Sequence, residues 1–130
     1  MNKKTILAAA AVLLALGGWW TGRILFGGMD AAEVIRKLSS LRLALALYGA
    51  EHKSPPADFA DALTSGKLEA VPELKLRGHF YSSKVRNVPA MGITDSGDWA
   101  YVNDPKDKNF GLAYIDCSHK DEKGRYWSEF

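Results

Sequence analysis

ILAAAAVLLALGGWWTGRILF, Ile6 to Phe26, leads across Gly27-Gly28 into DAAEVIRKLSSLRLALALYGAEH, Asp30 to His52, and these two runs decide how the rest of the chain is read. Ile6 to Trp20 carries no charge, and apolar character resumes after Thr21-Gly22-Arg23 with Ile24, Leu25 and Phe26. As a helix rising ~1.5 Å per residue, the run is about 31 Å long, the thickness of a bilayer's hydrocarbon layer. One membrane span is expected. Lys3 and Lys4 precede it with no acid nearby, so the positive-inside bias places the N-terminus in the cytoplasm and sends the remainder across. Trp19 and Trp20 suit the interface, and Arg23 can snorkel toward water from the far end. A cleaved secretory signal has the same basic-then-apolar pattern, with Ala15-Leu16-Gly17 offering the small residues a signal peptidase reads. A retained anchor is the expectation and cleavage the alternative; with no cysteine nearby, a lipoprotein anchor is not expected.

The second run is amphipathic. Ala31, Ile35, Leu38, Leu41, Leu45 and Tyr48 form one helical stripe, with Glu33, Lys37 and Ser40 opposite. Val34, Leu43, Ala44 and Leu47 widen it, predicting a helix covered over much of its circumference in its second half. Asp30 and Glu33 form a D-x-x-E capping box, and Met29 with Val34 a hydrophobic staple. Gly27-Gly28 makes a hinge plausible, and the reading is one long helix, bent or loosely joined there. Ser54-Pro55-Pro56 ends it near His52-Lys53, since each proline disfavours α geometry in the residue before it and lacks a donor.

With residues 1–28 assigned to the basic tip and the membrane, residues 29–130 suffice for one small extracytoplasmic domain with a modest core. The formal charge of +2 belongs to the anchor: from Met29 onward there are 14 Lys and Arg against 15 Asp and Glu. Such a balance points away from nucleic acid. The densest cationic stretch, Lys75, Arg77, Lys84 and Arg86, reads as a solvated edge. Cys117 is alone, so no internal disulfide is available; it reads as a small buried hydrophobe in a strand.

Past the prolines, a short helix is expected over 56–65, with Pro56 in its first turn and Gly66 as a left-handed cap. Leu68, Val71, Pro72, Leu74 and Leu76 tuck a loop against the long helix. Strands are expected over 79–83, 99–102, 112–117 and 125–128, with Val85 to Ile93 a loop or edge and turns at Asp95-Ser96-Gly97, Asn103 to Gly111 and Lys120 to Gly124. The predicted fold is α+β, a long N-terminal helix packed on a small antiparallel meander.

This order of parts resembles type IV pilins and pseudopilins, above all the major pseudopilin of type II secretion. The likeness rests on Leu41-Arg42-Leu43-Ala44-Leu45-Ala46-Leu47-Tyr48, on Pro55-Pro56-Ala57-Asp58-Phe59-Ala60-Asp61-Ala62-Leu63-Thr64-Ser65-Gly66-Lys67-Leu68, on Val71-Pro72, and on Asp98-Trp99-Ala100-Tyr101 with Gly111-Leu112-Ala113-Tyr114-Ile115. It implies a non-enzymatic subunit of the bacterial inner membrane, assembling with its own copies or with other pilin-like subunits through residues 6–26 into a pilus or secretion filament, its C-terminal domain periplasmic or extracellular. The head of the chain departs from the family: Lys4-Thr5-Ile6-Leu7-Ala8 has neither the processing glycine nor the Phe-Thr-Leu-Ile-Glu that follows it there. Gly28-Met29 with Glu33 reproduces that spacing, but Arg36, Lys37 and Arg42 would then have to enter the bilayer, at high cost.

Chemistry is weighed against that reading. The histidines are His52, His79 and His119. Cys117-Ser118-His119, beside Asp116 and Asp121, is the nearest approach to a metal or nucleophile cluster, yet no C-x-x-C or H-x₃₋₅-H pair accompanies it. Pseudopilins with a calcium ion in this region draw attention to Asp104, Asp107, Asp116 and Asp121, but no D-x-D-x-D-G loop is present, and turn-forming acids are expected instead. No catalytic, cofactor-binding or metal-binding residue, no small-molecule substrate and no cofactor is expected. The alternatives are a monomeric anchored or secreted periplasmic binding domain and, behind it, an enzyme built on Cys117 and His119.

Overall fold

The computed structural model describes residues 2–130, and the side chains of all of these except 23–26; the snorkelling expected of Arg23 and the apolar side chains of Ile24, Leu25 and Phe26 lie outside it. The N-terminal segment is helix α1, Lys3–Phe26, whose side chains are exposed from residue 3 through residue 21. It is long and apolar enough to cross a membrane.

The single long helix expected across the glycine pair is instead two. Residues 27–30 are not helical, and helix α2 occupies Ala31–His52. The break has a tertiary cause. Gly28 lies against the backbone of residues 76 and 77, where a Cβ would sit 2.8 Å from the Arg77 nitrogen. The Met29 N–H then donates to the Lys75 carbonyl at 2.8 Å. An amide used in this way is unavailable to a helix, and only glycine permits the approach.

Asp30 caps α2 from extended geometry, its Oδ1 accepting the Glu33 N–H at 2.8 Å. Glu33 does not close the box but pairs with Lys37 at 3.1 Å, while Glu122 accepts the Ala31 N–H at 3.0 Å. At the other end Lys53 is left-handed, with φ 62°. Ala31, Val34, Leu38, Leu41, Ala44 and Leu45 are the buried face. All but Ala44 join Trp99, Tyr101, Ala113, Ile115 and Cys117 in the main core, with Leu74, Leu76, Phe59 and Trp127 around them. The expectation that cover would extend to Leu43 and Leu47 does not hold: these are 61% and 49% exposed.

Helix α3 is Ala60–Thr64, shorter than the 56–65 expected, and its approach is held by side chains. The Pro56 carbonyl accepts the Tyr101 hydroxyl at 2.6 Å, and Asp58 accepts the Ala60 N–H at 2.9 Å. Gly66 follows at φ 76°.

The sheet is three-stranded, β1 (Val85–Val88), β2 (Trp99–Val102) and β3 (Ala113–Ile115), in that spatial order. It is mixed, correcting the antiparallel meander. β1 runs parallel to β2, Val85 opposite Trp99, and β2 antiparallel to β3, Trp99 opposite Ile115. Residues 89–98 do not make a hairpin, because Thr94, Asp95 and Ser96 are drawn onto Asp116, below, and the chain crosses over before resuming as β2. The strand expected over 79–83 is one bridge, Leu74 to Ser82; that over 125–128 is a bridge from Lys120 to Tyr126 followed by a 3₁₀ turn, Trp127–Glu129. The strand expected over 112–117 is confined to β3.

Candidate functional site

Two polar constellations meet beyond the end of β3. The first is centred on Asp116, fully buried. Its carboxylate accepts the Thr94 N–H and hydroxyl, both at 2.6 Å, the Asp95 N–H at 3.1 Å, and the Ser96 hydroxyl at 2.6 Å, and it pairs with Arg86. Burial alone would raise this carboxyl, but the donors of Ser96 and Thr94 outweigh it and hold it down at about 2. The loop before β2 is therefore wrapped around a charge and presents its next side chain, Asp95, outward. Asp95 sits in the left-handed region at φ 59°, which aspartate tolerates better than most residues.

The second constellation uses that presentation. His79 Nε2 lies 3.1 Å from His119 Nδ1, and each is 3.4 Å from the Cys117 Sγ. Asp95 Oδ1 is 3.3 Å from His79 Nε2 and 3.4 Å from His119 Nδ1. All four donor atoms lie within 4.8 Å of one another. His79 comes from the loop after Leu76, Asp95 from the crossover, and Cys117 and His119 from the turn after β3. Glycine makes room: Gly97, at φ 73°, would place a Cβ 2.5 Å from the His79 ring. The His119 N–H points back to the Cys117 sulfur at 3.3 Å, and the Ser118 N–H donates to Asp95 Oδ1 at 2.8 Å.

The orientation of the arrangement differs from that of a catalytic triad. Burial pushes the Cys117 thiol up to about 11, the direction opposite to an activated nucleophile. In a catalytic triad the acid orients the imidazole through the nitrogen remote from the nucleophile. Here the same nitrogen of each ring faces both the sulfur and the carboxylate. Donor atoms converge on a point instead of forming a relay.

Sequence reading singled out Cys117 and His119 but matched them with Asp116 and Asp121, which belong elsewhere. Asp121 accepts the Arg125 N–H at 2.8 Å and pairs with its guanidinium at 2.6 Å. Asp104 and Asp107 accept amides of their own turns, from Lys106 and Asn109. The four acids weighed for calcium thus do not converge. His52 stacks on Tyr48, ring centroids 3.9 Å apart, far along the chain from the cluster. The basic stretch is not a solvated edge throughout: Lys75 is buried, its ammonium donating to the carbonyls of Leu76 and His79, and Arg86 is bound to Asp116. His79 and Asp95 were missed because ligand motifs are searched for within one segment, whereas this group is drawn from three. Compared with known family models, curated proteins and solved structures, the chain matches none.

Proposed function

We propose that the chain is a membrane-anchored, non-enzymatic subunit that assembles through its helices, on the plan of the pilins and pseudopilins it resembles. The observation that carries this reading is the outer face of α2. Ser39, Ser40, Leu43, Ala46, Leu47 and Ala50 are all exposed and form an uncharged patch, bordered by exposed Arg36 one turn before it and by exposed Glu51, which pairs with Lys67, at its far end. A helix that stays in water carries charge on that side. Of the neighbouring charged groups, Lys37 and Arg42 turn toward the domain: Lys37 donates to the Glu73 carbonyl at 2.7 Å, and Arg42 to the carbonyls of Ala113 at 3.0 Å and Phe130 at 2.7 Å.

α1, with Ala8 to Ala11, Gly17 and Gly18 along it, provides small residues for close helix approach in a bilayer. Above it, the uncharged patch of α2 beyond Arg36 would continue the contact, leaving the sheet outermost. Lys3 and Lys4 support a cytoplasmic N-terminus through the positive-inside bias, and the likeness to pilins a bacterial inner-membrane location.

The test is crosslinking of full-length protein in membranes. A ladder of oligomers is expected, and Leu43→Arg with Leu47→Arg should abolish it while leaving the circular dichroism and melting of the domain unchanged, since both side chains are exposed. A monomer in the parent protein, or a ladder indifferent to both arginines, overturns the proposal and leaves an anchored binding domain.

A further inference from the structure

We propose that His79, Asp95, Cys117 and His119 bind one zinc ion in a closed tetrahedral site that ties together the three loops beyond the end of β3. Zinc bound by nitrogen and carboxylate oxygen at ~2.0–2.2 Å and by thiolate at ~2.3 Å sets tetrahedral donor–donor edges of about 3.3–3.6 Å. The edges found are 3.1, 3.3, 3.4, 3.4 and 3.4 Å, with the sixth, from Asp95 to Cys117, within 4.8 Å. These contacts arise among side chains up to forty positions apart.

Hydrogen bonding does not account for the convergence. The two facing ring nitrogens and the thiol have at most three protons to offer, each directed at one neighbour, while all four atoms face one another mutually. A central cation satisfies all four at once. The surroundings are those of a metal ligand set. The His119 N–H donates to the cysteine sulfur, and the Ser118 N–H fixes the ligating carboxylate oxygen. Cys117 is fully buried and His79 largely so, while His119 and Asp95 are partly exposed, giving an entry side for the ion.

With four protein ligands, no coordination position remains for water or substrate, which makes the site structural and not catalytic. One thiolate and two imidazoles favour zinc over calcium or magnesium, which prefer oxygen. The crosslink fills a need that composition poses: the only cysteine cannot form an internal disulfide, and the loops it joins have little regular structure of their own. This proposal is independent of helix assembly; a protein failing the crosslinking test could still hold the ion.

The experiment is metal analysis of full-length protein, purified in detergent without a polyhistidine tag and exposed to zinc chloride before exhaustive desalting. About one zinc per chain is expected, falling to background in His119→Ala, whose half-exposed side chain can be removed without opening the core. Cobalt(II) put in place of zinc should give tetrahedral d–d bands and a thiolate charge-transfer band, the latter lost in Cys117→Ser. Chelator should lower the melting temperature of the parent protein and leave that of His119→Ala unmoved. A parent protein without bound zinc, or zinc content that His119→Ala does not change, overturns the proposal even where Cys117→Ser fails to fold.

Discussion

Asp116 shows how far one side chain can organise a small domain. Five donor contacts and an arginine converge on a carboxylate that water does not reach. Its folded pKa, about 2, lies below its ordinary 3.8. The sign follows: the folded state favours the ionised form, so the contribution is fully present above pH ~4 and disappears as pH falls through the folded value near 2. A depression of this size corresponds to roughly 2 kcal/mol. Asp116→Asn keeps the shape but loses the charge, and at pH 7 it should lower the unfolding free energy in urea by roughly 2–4 kcal/mol. The gap between variant and parent should narrow as pH drops toward 2.5. A gap independent of pH would mean that the carboxylate's charge is not what holds the loop. In the sequence Asp116 looked like one more turn-forming acid beside a strand, because nothing local distinguishes it from Asp104 or Asp107. Its partners are some twenty to thirty positions earlier.

At the scale of elements, α2 was the most legible part. Its N-cap, its stop before the prolines and its inward stripe all follow from local chemistry, and Asp30 caps Glu33 as the D-x-x-E spacing implies. The break before it was not legible. Gly27-Gly28 is compatible with a weakened helix or with none, and what chooses is the backbone of residues 75–77 lying against Gly28 and Met29. Gly28→Ala should therefore cost roughly 1–3 kcal/mol, through displaced backbone and the lost Met29 bond. Gly18→Ala in α1, where nothing lies within 4 Å, should change domain stability by less than about 0.5 kcal/mol. Thermal unfolding of the two variants in one detergent reads the difference directly. Equal effects would mean that the packing at Gly28 contributes nothing.

For the molecule as a whole, the core is built, among the described side chains, from residues after the glycine pair. Its members run from Met29 to Phe130, and the described side chains of α1 supply none. A chain beginning at Gly27 should accordingly remain soluble and cooperative, melting within about 4 °C of the full-length domain. Loss of its cooperative transition would show that α1 is part of the fold and not only its tether. The division of labour also explains why the bare face of α2 escaped sequence reading. Leu43 and Leu47 read as inward by apolarity alone; each stands two residues from a buried leucine, roughly 200° round the helix, and so faces away from the sheet.

Taken by itself, the sequence determined what depends on near neighbours. These are an apolar helix of membrane-crossing length, an amphipathic helix with a defined start and stop, and a C-terminal half of short strands and turns in an α+β fold. Tertiary structure decided the parallel pairing of β1 with β2, the separation of α1 from α2, and the meeting of His79, Asp95, Cys117 and His119. The reason is physical: caps, periodicity and proline act within a few residues, where the chain's own geometry sets who meets whom. Strand partners and donor clusters depend on which distant loops the core brings together, and no spacing along the chain encodes that distance.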